Sequence, residues 1–186
     1  MASGCRFLAC LALTVALAGC NAGADESPSV VGEWTQVDSL YCTVWLAPGV
    51  SSRKVEREIN TFFLHGDRIP SGVGSDERLG QKCDIIFKEV ERALEMYPPG
   101  LRVTMKIYGA PEEIEAIHAG RYGFGVDAEA FYMEEDNTIY TTVGSVSTSV
   151  VAHEMAHSIM SHYFTVRPPR KIEEWLAMQA DAHLGE

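Results

Sequence analysis

The stretch from Val150 to Met160, VVAHEMAHSIM, limits what this chain can fold into more than any other. Val150, Val151, Ala152, Met155, Ala156, Ile159 and Met160 are spread around every side of a helix rather than along one stripe. A helix that is apolar all round has to be enclosed by the rest of its fold. The same stretch nevertheless carries His153, Glu154 and His157. Each buried polar group left without a partner costs on the order of 1–3 kcal/mol, so whatever encloses this helix must also satisfy those side chains.

Residues four apart on a helix lie one above the other, so His153 and His157 can face one point. A metal ion at that point would satisfy both imidazoles at once. Glu154 sits about 100° round the helix from His153, where its carboxylate reaches past the ion to a water rather than joining as a third ligand. This is the HExxH arrangement, and the spacing has a chemical reason. The ion acidifies and positions the water, and the carboxylate takes its proton and later passes it to a leaving amine. The competing reading is a core helix with two hydrogen-bonded histidines and no metal.

The N-terminal residues 1–19 belong to a different kind of segment. Arg6 precedes an apolar run from Phe7 to Ala18 that contains no acid and is too short for a comfortable membrane span, the pattern of an export signal. Its end, Leu17-Ala18-Gly19-Cys20, resembles the lipobox of bacterial lipoproteins. That resemblance implies cleavage before Cys20, lipidation of Cys20, and a domain held at a membrane outside the cytoplasm. Asn21 stands where an aspartate would argue for inner-membrane retention, so the outer membrane is preferred. Residues 20–33 are small, polar and proline-containing, as a flexible tether would be, and residues 34–186 form the expected single domain, long enough for a real core.

Of the five cysteines, Cys5 and Cys10 lie in the signal and Cys20 at its end, which leaves Cys42 and Cys83 in the domain. Two thiols in an exported chain point to one disulfide, with two buried free cysteines as the alternative. The formal net charge of -11 repels a polyanion, so no nucleic-acid partner is expected.

Along the domain, the β-branched and aromatic run Leu40–Leu46 predicts a strand that Pro48-Gly49 ends. Ser51-Ser52 can cap a helix from Arg53 to Leu64, stopped by His65-Gly66. From Asp76 to Tyr97, apolar residues recur at three- and four-residue steps, predicting an amphipathic helix that Pro98-Pro99-Gly100 terminates. Leu101–Tyr108 alternates as a half-buried strand. Pro111 opens a short helix closed by Gly120. Ala128–Met133 and Thr138–Thr142 form the arms of a hairpin around a turn at 134–137, and Ser147, Thr148 or Ser149 can cap the HExxH helix. The fold class is therefore α+β, a small mixed sheet packed on a buried helix.

HEMAH together with the later EEWLA, at 173–177, resembles the zincin metallopeptidases of the gluzincin type, over roughly Thr138 to Leu184. In that group the HExxH histidines and a glutamate from the next helix hold one zinc ion, and an edge strand pairs with the peptide substrate. The resemblance implies Zn2+ held by His153, His157 and Glu174, with Glu173 as the other candidate, and Glu154 as general base. It also implies Thr138–Thr142 as the substrate-pairing edge strand, where the plain alternative is an ordinary hairpin arm. Asp181, on the face of Glu174 two turns on, can orient a ligand histidine. His183 is a weaker ligand candidate. His162 falls off the ligand face and reads as a partner of the helix C-terminus, while His65 and His118 carry no assigned chemistry. Arg167, Arg170 and Tyr163 are candidates to stabilise an oxyanion. The function expected is zinc-dependent hydrolysis of peptide bonds. The alternatives are a non-catalytic zincin-like module that binds metal or peptide in an envelope assembly, and a structural domain with no metal.

Overall fold

The computed structural model describes residues 32–64, 68–125 and 129–185. The export signal, Cys20 and most of the tether lie outside the described residues, as do His65, Gly66 and Ala128.

Alternation organises the sheet. Cys42, Val44 and Leu46 of β2 (Cys42–Leu46), and Val103, Met105 and Ile107 of β3 (Val103–Tyr108), are all buried, and the residues between them are only partly covered. Side chains of period two thus give one face to the main core. β1 (Thr35–Asp38) pairs antiparallel with β2, and β3 runs parallel to β2. The hairpin of β4 (Ala130–Met133) and β5 (Thr138–Thr142) joins through β5, which runs parallel to β3. The five strands lie in the order β1-β2-β3-β5-β4. The architecture is α+β, a mixed sheet with helices on both faces.

The expectation that Thr138–Thr142 forms the sheet edge is corrected here. β5 is an inner strand, buried at every residue, and β4 is the edge. Both arms of a hairpin alternate in the same way, so the arm that docks onto β3 is decided by tertiary packing.

Three helices do not match the sequence reading in length, each for a visible reason. α1 spans Ser52–Glu58 rather than reaching Leu64. The Asn60 N–H donates to Thr148 Oγ1 at 2.8 Å, and that hydroxyl donates back to the Asn60 carbonyl at 2.8 Å, which holds the chain extended. α2 (Ser75–Leu94) stops before Tyr97 because Glu95 turns left-handed, with φ 55, and Met96 folds into the core. Tyr97, expected on the buried face, is exposed. α3 (Pro111–Tyr122) runs through Gly120 and ends at Gly123, whose φ of 79 is cheap only for glycine.

α2 and α4 (Thr148–Tyr163) cover one face of the sheet, and α5 (Arg170–Gly185) packs against both. α3 packs on the opposite face over β3 and β5, with Ile114, Met133 and Tyr140 as a smaller core. As its composition requires, α4 is enclosed. Val151, Ala152, Met155, Ala156, Ile159 and Met160 are all buried, and Ser147 caps the helix by accepting the Val150 N–H at 3.2 Å.

Cys42 and Cys83 are brought side by side between β2 and α2 but stand as free thiols, not as the expected disulfide. Both are fully buried, and the hydrogen bond between them, together with burial, pushes the Cys42 thiol well above its ordinary value. They fill the core as small apolar side chains do.

Candidate metal centre

Two helices build the site. α4 presents His153 and His157 one turn apart, with their Nε2 atoms 3.3 Å from each other. The chain breaks at Pro168-Pro169, and the Pro169 carbonyl accepts the Ile172 and Glu173 N–H groups to start α5. That turn delivers Glu174, whose Oε2 lies 3.6 Å from His153 Nε2 and 3.6 Å from His157 Nε2. These donors can hold one metal ion. Ligands at about 2.0–2.1 Å from a tetrahedral zinc stand roughly 3.4 Å apart. The triangle of 3.3, 3.6 and 3.6 Å therefore has the size of one face of such a tetrahedron.

Glu173 and Glu174 are distinguished by direction. Glu173 is 6% exposed, and its Oε1 accepts from Arg167 Nε at 2.7 Å. Arg167 also pairs through Nη1 with Glu134 in the β4–β5 turn. Adjacent residues on a helix point about 100° apart, so burying Glu173 against Arg167 turns Glu174 toward the histidines. Arg170 Nε approaches the other oxygen, Oε1, of Glu174 at 3.3 Å.

Behind the donors, Asp181 Oδ2 lies 2.9 Å from His153 Nδ1. A carboxylate there accepts the Nδ1–H, selects that tautomer and leaves Nε2 as a lone pair facing the site. Burial lowers the pKa of His157, favouring the neutral imidazole, with Glu174 opposing the shift.

Glu154 lies beside the triangle, buried between α4 and the sheet edge. Burial raises its carboxyl from the usual value to about 7, against the opposing pull of His153 and of the nearby Tyr132 backbone. Tyr132 belongs to β4, so the sheet edge and the carboxylate meet directly. A second network holds that edge on α4. The Tyr132 hydroxyl reaches Asn137 Oδ1 at 3.1 Å and Ser161 Oγ at 2.9 Å, and Ser158 Oγ donates to Asn137 Oδ1 at 2.7 Å.

The site opens into a cleft of about 570 Å³. Arg167 and Arg170 line it, whereas Tyr163, also considered for an oxyanion, is half-exposed at the end of α4 and is not among the lining residues. His162 Nδ1 lies 2.9 Å from the Ser158 carbonyl, a partner for the end of α4. His183 is exposed on the last turn of α5. The far wall includes His118, to which the sequence attached no chemistry, with Tyr122, Phe124 and Phe131. An isolated histidine near a glycine carried no signal for it, because these rings, from α3, the turn after it and β4, meet only in the folded chain. The part played by Tyr132 was equally hidden, since it acts through its backbone.

No protein-family model matches the chain, and no curated protein matches it.

Proposed function

We propose that this chain is a zinc-dependent peptidase in which His153, His157 and Glu174 hold the ion. The single observation that carries this reading is the donor triangle of 3.3, 3.6 and 3.6 Å, with the Glu154 carboxyl, which is not a donor to it, beside it in an open cleft. A bound zinc supplies Lewis acidity and makes water nucleophilic near neutral pH. Glu154, held out of bulk solvent beside the β4 strand, would accept a proton from the attacking water and return it to the leaving amine. Asp181 holds His153 in the tautomer that binds. β4 is the strand available to a peptide. It replaces β5 in the proposed role of substrate-pairing edge, because among the described residues no strand pairs with its outer side and it lies beside Glu154. A peptide laid along β4 would pass its backbone over the site.

The second reading is a zincin-like module that binds metal or peptide without turnover, and one observation favours it. Both arginines lining the cleft are already paired with carboxylates, Arg167 with Glu173 and Glu134, and Arg170 with Glu174. Neither is a free cation for a developing oxyanion.

The two readings separate in one experiment on purified protein. Metal analysis should find about one zinc per chain under the proposal, and the Glu154→Gln variant should keep that zinc while losing chelator-sensitive cleavage of an unfolded substrate. Equal cleavage by the variant would sink the mechanism. Zinc without cleavage in the parent would select the binding module, and no zinc would select a structural domain.

The domain is further proposed to act in the bacterial envelope, anchored by lipid at Cys20 with the outer membrane preferred. This rests on the N-terminal sequence. Labelled fatty acid should enter the parent and not the Cys20→Ala variant.

A further inference from the structure

The cleft has a second wall on the other side of the β4 edge. Phe131 stands opposite Tyr140, and Tyr132 opposite Ile139. Directly opposed residues share a face of the sheet. Phe131 and Tyr140 thus belong to the α3 face, and Tyr132 and Ile139 to the face covered by α4. Among the described residues the cleft wraps round the β4 edge, with the histidines on one side and an aromatic group on the other.

His118 is the hub of that group. Its ring centroid lies 5.2 Å from Phe131, 5.3 Å from Phe124 and 4.6 Å from Tyr122. Its Nδ1 is 2.9 Å from the Phe124 carbonyl, which ties the turn after Gly123 to α3. Phe131 stacks on Tyr140 at 5.0 Å, so the rings are backed by the smaller core. Phe124 nevertheless stays 64% exposed and Tyr122 41% exposed. The carboxylates beside them are paired, Glu135 with Arg121 at 3.2 Å and Glu134 with Arg167. Exposed rings on a fixed backing, in the same concavity as the metal donors, are the composition of a side-chain pocket selective by apolar area rather than charge.

We propose that His118, Tyr122, Phe124 and Phe131 form a subsite that makes the cleft selective for peptides with a large aromatic or aliphatic residue near the scissile bond. This rests on the peptidase reading. A strand lying along β4 alternates its side chains between the two faces. Those on the α4 side meet the metal donors, and their neighbours cross the edge onto the aromatic wall.

The test uses the full chain loaded with zinc and peptides that differ only in carrying Phe or Ala at successive positions. Cleavage is measured as kcat/KM, and binding is measured separately by fluorescence anisotropy. A change of this size in an apolar pocket is worth about 10-fold or more, so Phe should be preferred by roughly that factor at one position. Phe124→Ser, at a ring that is 64% exposed, should collapse the Phe/Ala ratio to near unity with zinc content and Tm retained, and Tyr122→Ser should lower it in the same direction. Cleavage with equal constants for both peptides, or a Phe124→Ser variant that keeps the ratio, overturns the subsite and leaves the peptidase standing. Phe-selective binding without cleavage keeps the subsite and removes the peptidase. No selectivity in either measurement overturns the subsite whatever the chemistry.

Discussion

Removing the Asp181 carboxylate tests the arrangement of the candidate metal centre without touching a proposed donor. Asp181 Oδ2 is 2.9 Å from His153 Nδ1, and the two side chains are 25% and 23% exposed. Carboxylates that orient a ligand histidine typically contribute about 10–100-fold to metal affinity. Here a quarter of each side chain is in reach of water, which can replace the lost acceptor, so the lower part of that range applies, about 10–30-fold for Asp181→Ala. Tenfold corresponds to about 1.4 kcal/mol. Under the proposal, zinc in excess stabilises the folded state in proportion to the logarithm of its concentration over its dissociation constant, so a loss of affinity of about 10–30-fold should appear as a Tm about 3–8 °C below the parent at a fixed zinc concentration in excess. The Tm without zinc should change much less. Asp181→Asn, which keeps an oxygen to accept the Nδ1–H, should fall between the two. Competition against a chromophoric chelator at neutral pH gives the affinity, and thermal unfolding with and without zinc gives the second readout. An Asp181→Ala protein that binds zinc as tightly as the parent would refute the idea that this contact orients His153. Loss of Tm that is equal with and without zinc would make Asp181 a structural residue only.

Glu173 and Glu174 should respond in opposite ways to the same change. Glu174→Gln should lose most zinc affinity with little effect on the zinc-free Tm, whereas Glu173→Gln should keep zinc and lower stability by about 1–3 kcal/mol, because it leaves Arg167 with a weakened buried partner. Thermal unfolding and metal analysis of the two variants check both halves, and a reversed pattern would move the ligand to Glu173. In the core of α4, Ile159→Ala should cost about 2–5 kcal/mol, read by denaturant unfolding, since Ile159 is wholly buried. Cys42 and Cys83 should resist alkylation in the folded protein and become modified on unfolding without reductant, mapped by mass spectrometry. Failure of both to react after unfolding would show that they are bonded.

The α+β class, the buried HExxH helix, its serine cap and the hairpin with its turn at 134–137 were all readable in advance, and so were the candidate donors. Each depends on residues close together in sequence. The all-round apolar surface of α4 and the four-residue spacing of its histidines have only one local outcome. Two of the departures have one physical origin. α1 ends early because Thr148, far away in sequence, takes the backbone of Asn60. β5 is interior because β3 offers it a parallel partner.

Local chemistry alone could therefore settle what α4 is and which side chains it offers to an ion, because helical period and side-chain type act within a few residues. Only packing could settle that Glu174 rather than Glu173 turns inward, because the choice depends on Arg167 burying the latter against a turn from another part of the chain. Packing likewise put β4 rather than β5 at the sheet edge, set Tyr132 beside Glu154 and gathered His118 with three aromatic rings at the cleft. Those contacts join segments distant in sequence, and no local preference encodes them.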